Sequence, residues 1–158
     1  MKKNKITIIL SIILIILVSI IIFLLININS KKQFKKPEFD KNATTIPEKL
    51  EYKEKAIKIS EGYSLYIEPI PQLDQKNNLI LNLVSLKENK IWIKVRILNA
   101  KEEIIGETGL IKPGEYVKKI QLNQSLQKDD KITYKIMGYE KEKYTSAGTI
   151  SLNTRIGE

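Results

Sequence analysis

Residues 91–98, IWIKVRIL, place Ile91, Ile93, Val95 and Ile97 on one side of an extended chain and Trp92, Lys94, Arg96 and Leu98 on the other. A repeat of two residues is the period of a β-strand with one buried face, and a helix cannot bury such a pattern. The same alternation recurs along the second half of the chain. It is present in AIKIS (Ile57, Ile59), YSLYIEPI (Tyr63, Leu65, Ile67), KITYKIMGY (Ile132, Tyr134, Ile136) and TISLNTRI (Ile150, Leu152, Ile156), with LILNLVSL and YVKKIQL as further short runs. Turn-forming stretches separate them: PIPQLDQKNN, KENK, NAKEE, KPGE, NQSLQKDD and EKEKYTSAG. No amphipathic helical repeat follows residue 60. The pattern predicts an all-β domain over residues 56–158, an antiparallel β-sandwich of seven or eight strands, with a partly open barrel as the alternative that periodicity does not separate.

A different pattern opens the chain. Residues 6–26, ITIILSIILIILVSIIIFLLI, hold only Thr7, Ser11 and Ser19 as polar members. A hydroxyl on a helix can return its hydrogen bond to the backbone, so all three are compatible with lipid. As a helix this stretch is about 31 Å long at about 1.5 Å per residue, which matches a hydrocarbon core of about 30 Å. A cleaved signal peptide has a shorter apolar region, about 7–15 residues, and ends in a small-residue site that INSKKQF does not offer. The expectation is therefore a retained signal anchor, a single transmembrane helix at 6–26. Lysines flank both ends, Lys2, Lys3 and Lys5 before and Lys31, Lys32, Lys35 and Lys36 after, so flanking charge does not set the orientation. A long carboxy-terminal domain can cross regardless of such charge, which places residues 1–5 in the cytoplasm and the bulk of the chain outside the cell membrane.

Between the two patterns, residues 27–55 have few large apolar side chains, two prolines and dense alternating charge. Such a composition buries too little surface to fold alone and predicts a flexible charged stalk.

The chain has no cysteine and no histidine. The first absence removes disulfides, thiolate chemistry and cysteine-ligated metal; the second removes the commonest general base near neutral pH and the triads built on it. The formal charge of +9 is spread evenly, +3 in each of residues 1–30, 31–62 and 63–158, so it is a solvated surface and not a nucleic-acid stripe. The lysines beside the apolar run suit lipid headgroups.

Carboxylates are the remaining catalytic candidates: Glu102, Glu103 and Glu107 in and beside one hairpin, and Asp129 and Asp130 in a loop. Acids in turns ordinarily cap backbone amides and keep edges soluble, and no cleft is legible around these. The KDD of residues 128–130 lacks the spaced ligands of a calcium loop, and the GETG of residues 106–109 lacks the Lys-Ser/Thr ending of a phosphate loop. Gly106 and Gly109 instead mark a strand bulge or kink. Pro113 and Gly114 mark a type II turn, after which the chain either folds back on its own sheet or crosses to a second. No catalytic, cofactor-binding or metal-binding residue is assigned. Trp92, Tyr66, Tyr139 and Tyr144 fall on outward faces or in loops, where aromatic side chains anchor protein partners or stack on sugars.

The succession LILNLVSLKENKIWIKVRILNAKEEIIGETGLIKPGEYVKKIQLNQSLQKDDKITYKIMGY resembles small membrane-anchored, surface-exposed β-sandwich proteins of Gram-positive bacteria, over residues 78–156. The shared features are turn and core positions: a glycine, two apolar residues, one further residue and Pro-Gly (GLIKPG), the I-x-L strand IQL, and a strand ending in tyrosine. Two departures fall in turns, SLKEN in place of Asn-Pro and Asp129-Asp130 in place of a glycine. The resemblance implies an immunoglobulin-like domain outside the cell, in proteins largely of unknown function and in part associated with mobile elements. The expected role is a non-enzymatic interaction or assembly module of a cell-envelope complex, such as a transfer or secretion apparatus, with another envelope protein as partner. A cell-wall or carbohydrate-binding module is the alternative, and an envelope enzyme using carboxylates a third.

Overall fold

The structure, a computed structural model, describes residues 11–23, 36–48, 57–60 and 63–157. The chain divides into two compact units, Met1–Lys36 and Pro37–Glu158. In the first, residues 11–23 form helix α1. Its eleven large apolar side chains, from Ile12 to Phe23, are all about half exposed or more, and the Ser19 hydroxyl donates to the Ile15 carbonyl at 2.8 Å. Among the described residues no helix is long and apolar enough to cross a membrane. Residues 6–10 and 24–26 of the expected span lie outside the described residues.

Among the described residues the second unit holds ten strands: β1 (Thr44–Thr45), β2 (Ile57–Ser60), β3 (Tyr63–Tyr66), β4 (Gln72–Leu73), β5 (Asn78–Ser85), β6 (Trp92–Leu98), β7 (Ile104–Glu107), β8 (Glu115–Gln121), β9 (Lys131–Tyr139) and β10 (Ser146–Arg155). They form two antiparallel sheets, one in the order β1-β8-β5-β3-β2 with β4 also paired to β5, the other β10-β9-β6-β7. The period-two faces meet between the sheets: Leu65, Leu79, Leu81, Leu83 and Val117 of one pack with Ile93, Val95, Ile97, Tyr134 and Ile136 of the other. The all-β reading and the two-sheet arrangement hold. Two strands of two residues, β1 and β4, are too short to show a period and are not legible in sequence.

Prolines explain β4. Pro69 and Pro71 carry no amide hydrogen, so the edge beside β5 is broken into two pieces, with β3 on Val84 and Ser85 and β4 on Leu79 and Ile80. At the other end of the chain, Pro37–Pro47 departs from the expected stalk. The Asp40 amide donates to the Leu110 carbonyl at 2.9 Å, the Leu110 amide to the Glu38 carbonyl at 2.8 Å, and Thr44–Thr45 pair with Tyr116 and Glu115. Ala43 packs on the core. The folded unit therefore begins near Pro37 and not at 56; composition underestimates this segment because backbone hydrogen bonds to existing strands need few large side chains. Residues 27–35 and 49–56 lie outside the described residues.

Lys112-Pro113-Gly114-Glu115 is a crossover between sheets. Ile111 pairs with Ile93 in the second sheet, whereas β8 pairs with β5 in the first. The Glu115 amide donates to the Lys112 carbonyl at 3.1 Å and Gly114 has φ 80°, the geometry of a type II turn with Pro113 at its second position. In β8 the two lysines 118 and 119 are both exposed. Strict alternation forbids that, and a register shift between Ile80 and Leu83 on β5, where Asn82 has φ 44°, provides the extra residue that turns both outward.

Candidate interaction surface

Trp92 opens β6 on the outward face, opposite Tyr139 of β9. Its indole is not free. The Phe39 ring stands edge-on to it at 4.9 Å between centroids, and the Tyr144 ring lies tilted at 5.1 Å. Lys112 places its ammonium 4.6 Å above the Phe39 ring, an attraction of about 0.5–1 kcal/mol at exposed sites. Tyr144 is delivered by the tight β9–β10 loop, where the Glu140 amide donates to the Thr145 carbonyl at 2.9 Å and the Tyr144 amide to the Glu140 carbonyl at 3.0 Å. Phe39, Trp92 and Tyr144 thus form a half-buried patch, with Phe39 37% exposed at its rim.

This sharpens the reading of the four outward aromatics. Trp92 and Tyr144 come together, Tyr139 lies beside them and donates its hydroxyl to the Met137 sulfur at 3.8 Å, and Tyr66 lies in the other sheet, paired with Val84. Phe39 escapes a sequence reading because it sits in a charged, proline-bearing stretch with no period. Only the FD of Phe39-Asp40, a large apolar residue followed by a turn-former, marks the place in sequence.

The segment that brings Phe39 in is held by Asp40. Its carboxylate accepts from the Gly109 amide at 2.7 Å and from the Asn42 amide at 2.8 Å. A Cβ on Gly109 would lie 2.5 Å from the Asp40 Cα and 2.6 Å from the Phe39 carbonyl carbon, so only glycine lets the two backbones meet. Gly106 pairs with Ile97, next to the point between Ile97 and Leu98 where the β6–β7 register shifts.

Of the acids that are candidates for catalysis, the carboxylates of Glu103, Glu107, Asp129 and Asp130 are engaged in structural contacts. Glu107 accepts from Lys94 and from Arg96, both at 2.9 Å. Partial burial pulls its carboxyl up, but the Lys94 and Arg96 hydrogen bonds outweigh that and hold it below the usual range. Glu103 accepts from Asn99 at 2.8 Å, Asp130 from the Gln127 amide at 2.8 Å, and Asp129 lies 3.3 Å from Arg155. Glu102 is the positive-φ residue of the hairpin loop, at 62°. Among the described residues no group of three or more acids is placed to hold a metal ion. Tyr134 is raised well above the ordinary phenol range by burial, with Glu68 adding to it, and its hydroxyl donates to the Glu68 carbonyl at 3.0 Å. No family model matches the chain, and no curated protein and no solved structure matches it.

The most perturbed acid, half-buried Asp74, is structural too. Asp74 accepts from Lys119 at 2.6 Å, from the Asn78 side chain at 2.8 Å, and from the Asn78 and Lys76 amides at 2.9 Å, which hold its carboxyl far below the usual range. A depressed folded value stabilises the fold above the unfolded value, about 3.9, and the contribution is lost as pH falls through the folded one. Asp74→Asn is therefore expected to be less stable than the parent at pH 7, with the difference shrinking below about pH 4, as read by urea titration at both pH values.

Proposed function

We propose that this protein is a single-pass, membrane-anchored module whose immunoglobulin-like β-sandwich lies outside the cell membrane and contacts another envelope protein in an assembly such as a transfer or secretion apparatus. The observation that carries the reading is the Phe39–Trp92–Tyr144 patch at the sandwich surface. Rigid aromatic groups that are half covered lose little side-chain freedom on binding, and such groups dominate interface energetics. The anchor is supported by residues 6–26 and by the exposed apolar girdle of α1, since so many apolar side chains in water would be a large unfavourable surface. The proposed role is not enzymatic, because each candidate acid is engaged by backbone amides, amide side chains or cations or sits in a turn.

Two measurements test the reading. The chain has no cysteine, so a Ser146→Cys variant at the exposed start of β10 is expected to react in intact cells with a membrane-impermeant thiol reagent; labelling only after lysis overturns the outside placement. A photo-crosslinking residue at Lys112, beside the patch, is expected to yield one discrete protein adduct that Trp92→Ala reduces at least tenfold. An adduct pattern unchanged by that substitution removes the patch from the interface.

A further inference from the structure

The outward face of the β10-β9-β6-β7 sheet carries a concentration of positive charge that the even distribution along the chain conceals. Its outward positions follow from the core faces: Ile132, Tyr134 and Ile136 are buried on β9 and Ile93, Val95 and Ile97 on β6, so Lys131, Thr133, Lys135 and Arg96 point away, and Lys94 shares their face but is itself buried. Register adds β10, with Ser151 opposite Lys135, Asn153 opposite Thr133 and Arg155 opposite Lys131. Arg96 is itself opposite Lys135. Five cations share this face, Lys94 among them being buried, and the acids on or beside them are Glu107, bound to Lys94 and Arg96, Asp129 at the rim, against Arg155, and Glu102 in the groove beside Lys131. Lys131 and Lys135 have no ion-pair partner among the described residues.

Two pairs of like charges directly opposite one another, Arg96 with Lys135 and Lys131 with Arg155, are unfavourable for the sheet itself. Glu107 and Asp129 offset Arg96 and Arg155, which leaves Lys135 and Lys131 as the cations for which a ligand is the natural counter-charge. The pairs lie four residues apart on β9, about 13–14 Å at about 3.4 Å per residue. Between them Thr133 donates to Asn153 at 2.9 Å, a row of hydroxyl and amide groups without charge. At the Lys131–Arg155 end the face runs into an open groove of about 680 Å³ lined by Asn99, Glu102, Lys131, Thr133, Asn153 and Arg155 among others. One phosphate cannot span both pairs; a chain of them can.

We infer that this face binds a linear polyol phosphate, a phosphodiester polymer without bases. Charge complementarity selects a polyanion, and the face selects among polyanions. A single-stranded nucleic acid needs aromatic platforms on which its bases stack, but the indole lies at the Tyr139 end of this sheet, at the opposite end of β9 from Lys131 and Arg155, and is half covered by Phe39 and Tyr144. A protein partner needs apolar anchors, and the middle of the face offers Thr133, Ser151 and Asn153. A planar bilayer would meet the cation rows but not the groove that continues them. The inference draws on the proposed placement outside the cell only for where the polymer is met.

The test uses the full chain in neutral detergent micelles with soluble, labelled poly(glycerol phosphate), followed by fluorescence anisotropy across a salt series. Binding is expected at low salt. The Lys131→Gln/Lys135→Gln variant is expected to lose at least tenfold in affinity and to flatten the log-log salt slope by about 1.4, two contacts at about 0.7 each. The control Lys87→Gln/Lys118→Gln, which removes as much charge elsewhere, is expected to bind like the parent. An equal loss in that control, absence of binding, or equal or tighter binding of oligouridylate, polyglutamate or phosphatidylglycerol carried in the same micelles overturns the inference. Because the polymer is added directly, a negative result leaves the topology experiment standing, and a failed topology experiment leaves this one standing.

Discussion

Asn89→Ala is expected to destabilise the sandwich by about 3 kcal/mol, a large loss for a single uncharged side chain. Asn89 is buried, and its side chain closes a bridge between elements that share no turn. Its carbonyl oxygen accepts from the Ser64 amide at 2.7 Å, while its amide donates to the Ser64 carbonyl at 2.7 Å and to the Ser85 hydroxyl at 3.0 Å. Alanine leaves these three groups without that partner. An orphaned buried polar group costs about 1–3 kcal/mol, and the upper part of the sum is relieved where water can enter. Urea unfolding followed by the fluorescence of Trp92 measures the loss. A change below about 1 kcal/mol, the net value of one ordinary hydrogen bond, would mean that β3 has other means of holding its register on β5.

Gly109→Ala is expected to cost about 1–3 kcal/mol and to free the Pro37–Thr45 segment while the rest of the sandwich stays folded. The added methyl meets backbone atoms of Phe39 and Asp40, which cannot rotate aside as a side chain would. Release breaks the Asp40–Gly109 and Glu38–Leu110 hydrogen bonds together and uncovers Leu110, which is fully buried in the parent. Two readouts identify this mode. Limited proteolysis should cut within residues 37–45 in the variant only, and Trp92 emission should shift to the red as Phe39 leaves the indole. Asp40→Ala is expected to produce a weaker form of the same phenotype, because it removes the carboxylate bonds but introduces no collision.

The two results would bear on function differently. The Asn89 side chain bonds to Ser64 of β3 and Ser85 of β5 and to none of the patch's three rings, so its loss should lower stability without altering a surviving molecule's contacts. Gly109 controls whether Phe39 covers Trp92. If the patch is an interface, Gly109→Ala changes binding in a molecule that is still folded.

Much of the architecture can be read directly from residue order. Alternation in IWIKVRIL and KITYKIMGY assigns β6 and β9 and their buried faces, because the side-chain period of a strand is local. Pro113 and Gly114 announce their turn for the same reason: φ preferences belong to the residue. Asn89 illustrates the opposite case. In sequence it is the third letter of a polar turn, KENK, and its role depends on Ser64, 25 residues away, being placed within reach of it. Phe39 depends likewise on Gly109, 70 residues downstream.

Of the candidate site, sequence marks Trp92, Tyr139 and Tyr144 as outward, and Tyr66 with them. It cannot show that the first three gather at one end of one sheet and that Tyr66 belongs to the other, since that follows from strand pairing. The cation rows are hidden in the same way: charge counted along the chain is even, and only the register of β6, β9 and β10 stacks Arg96, Lys135, Lys131 and Arg155 on one face. Sequence alone determined an all-β domain, its turns, its inward faces and an apolar amino-terminal stretch, because period, φ preference and hydropathy are local properties. Only tertiary structure decided that the chain crosses between sheets at Pro113, that Pro37–Thr45 is part of the domain, and which polar, aromatic and charged side chains meet, because those depend on contacts between residues far apart in the chain.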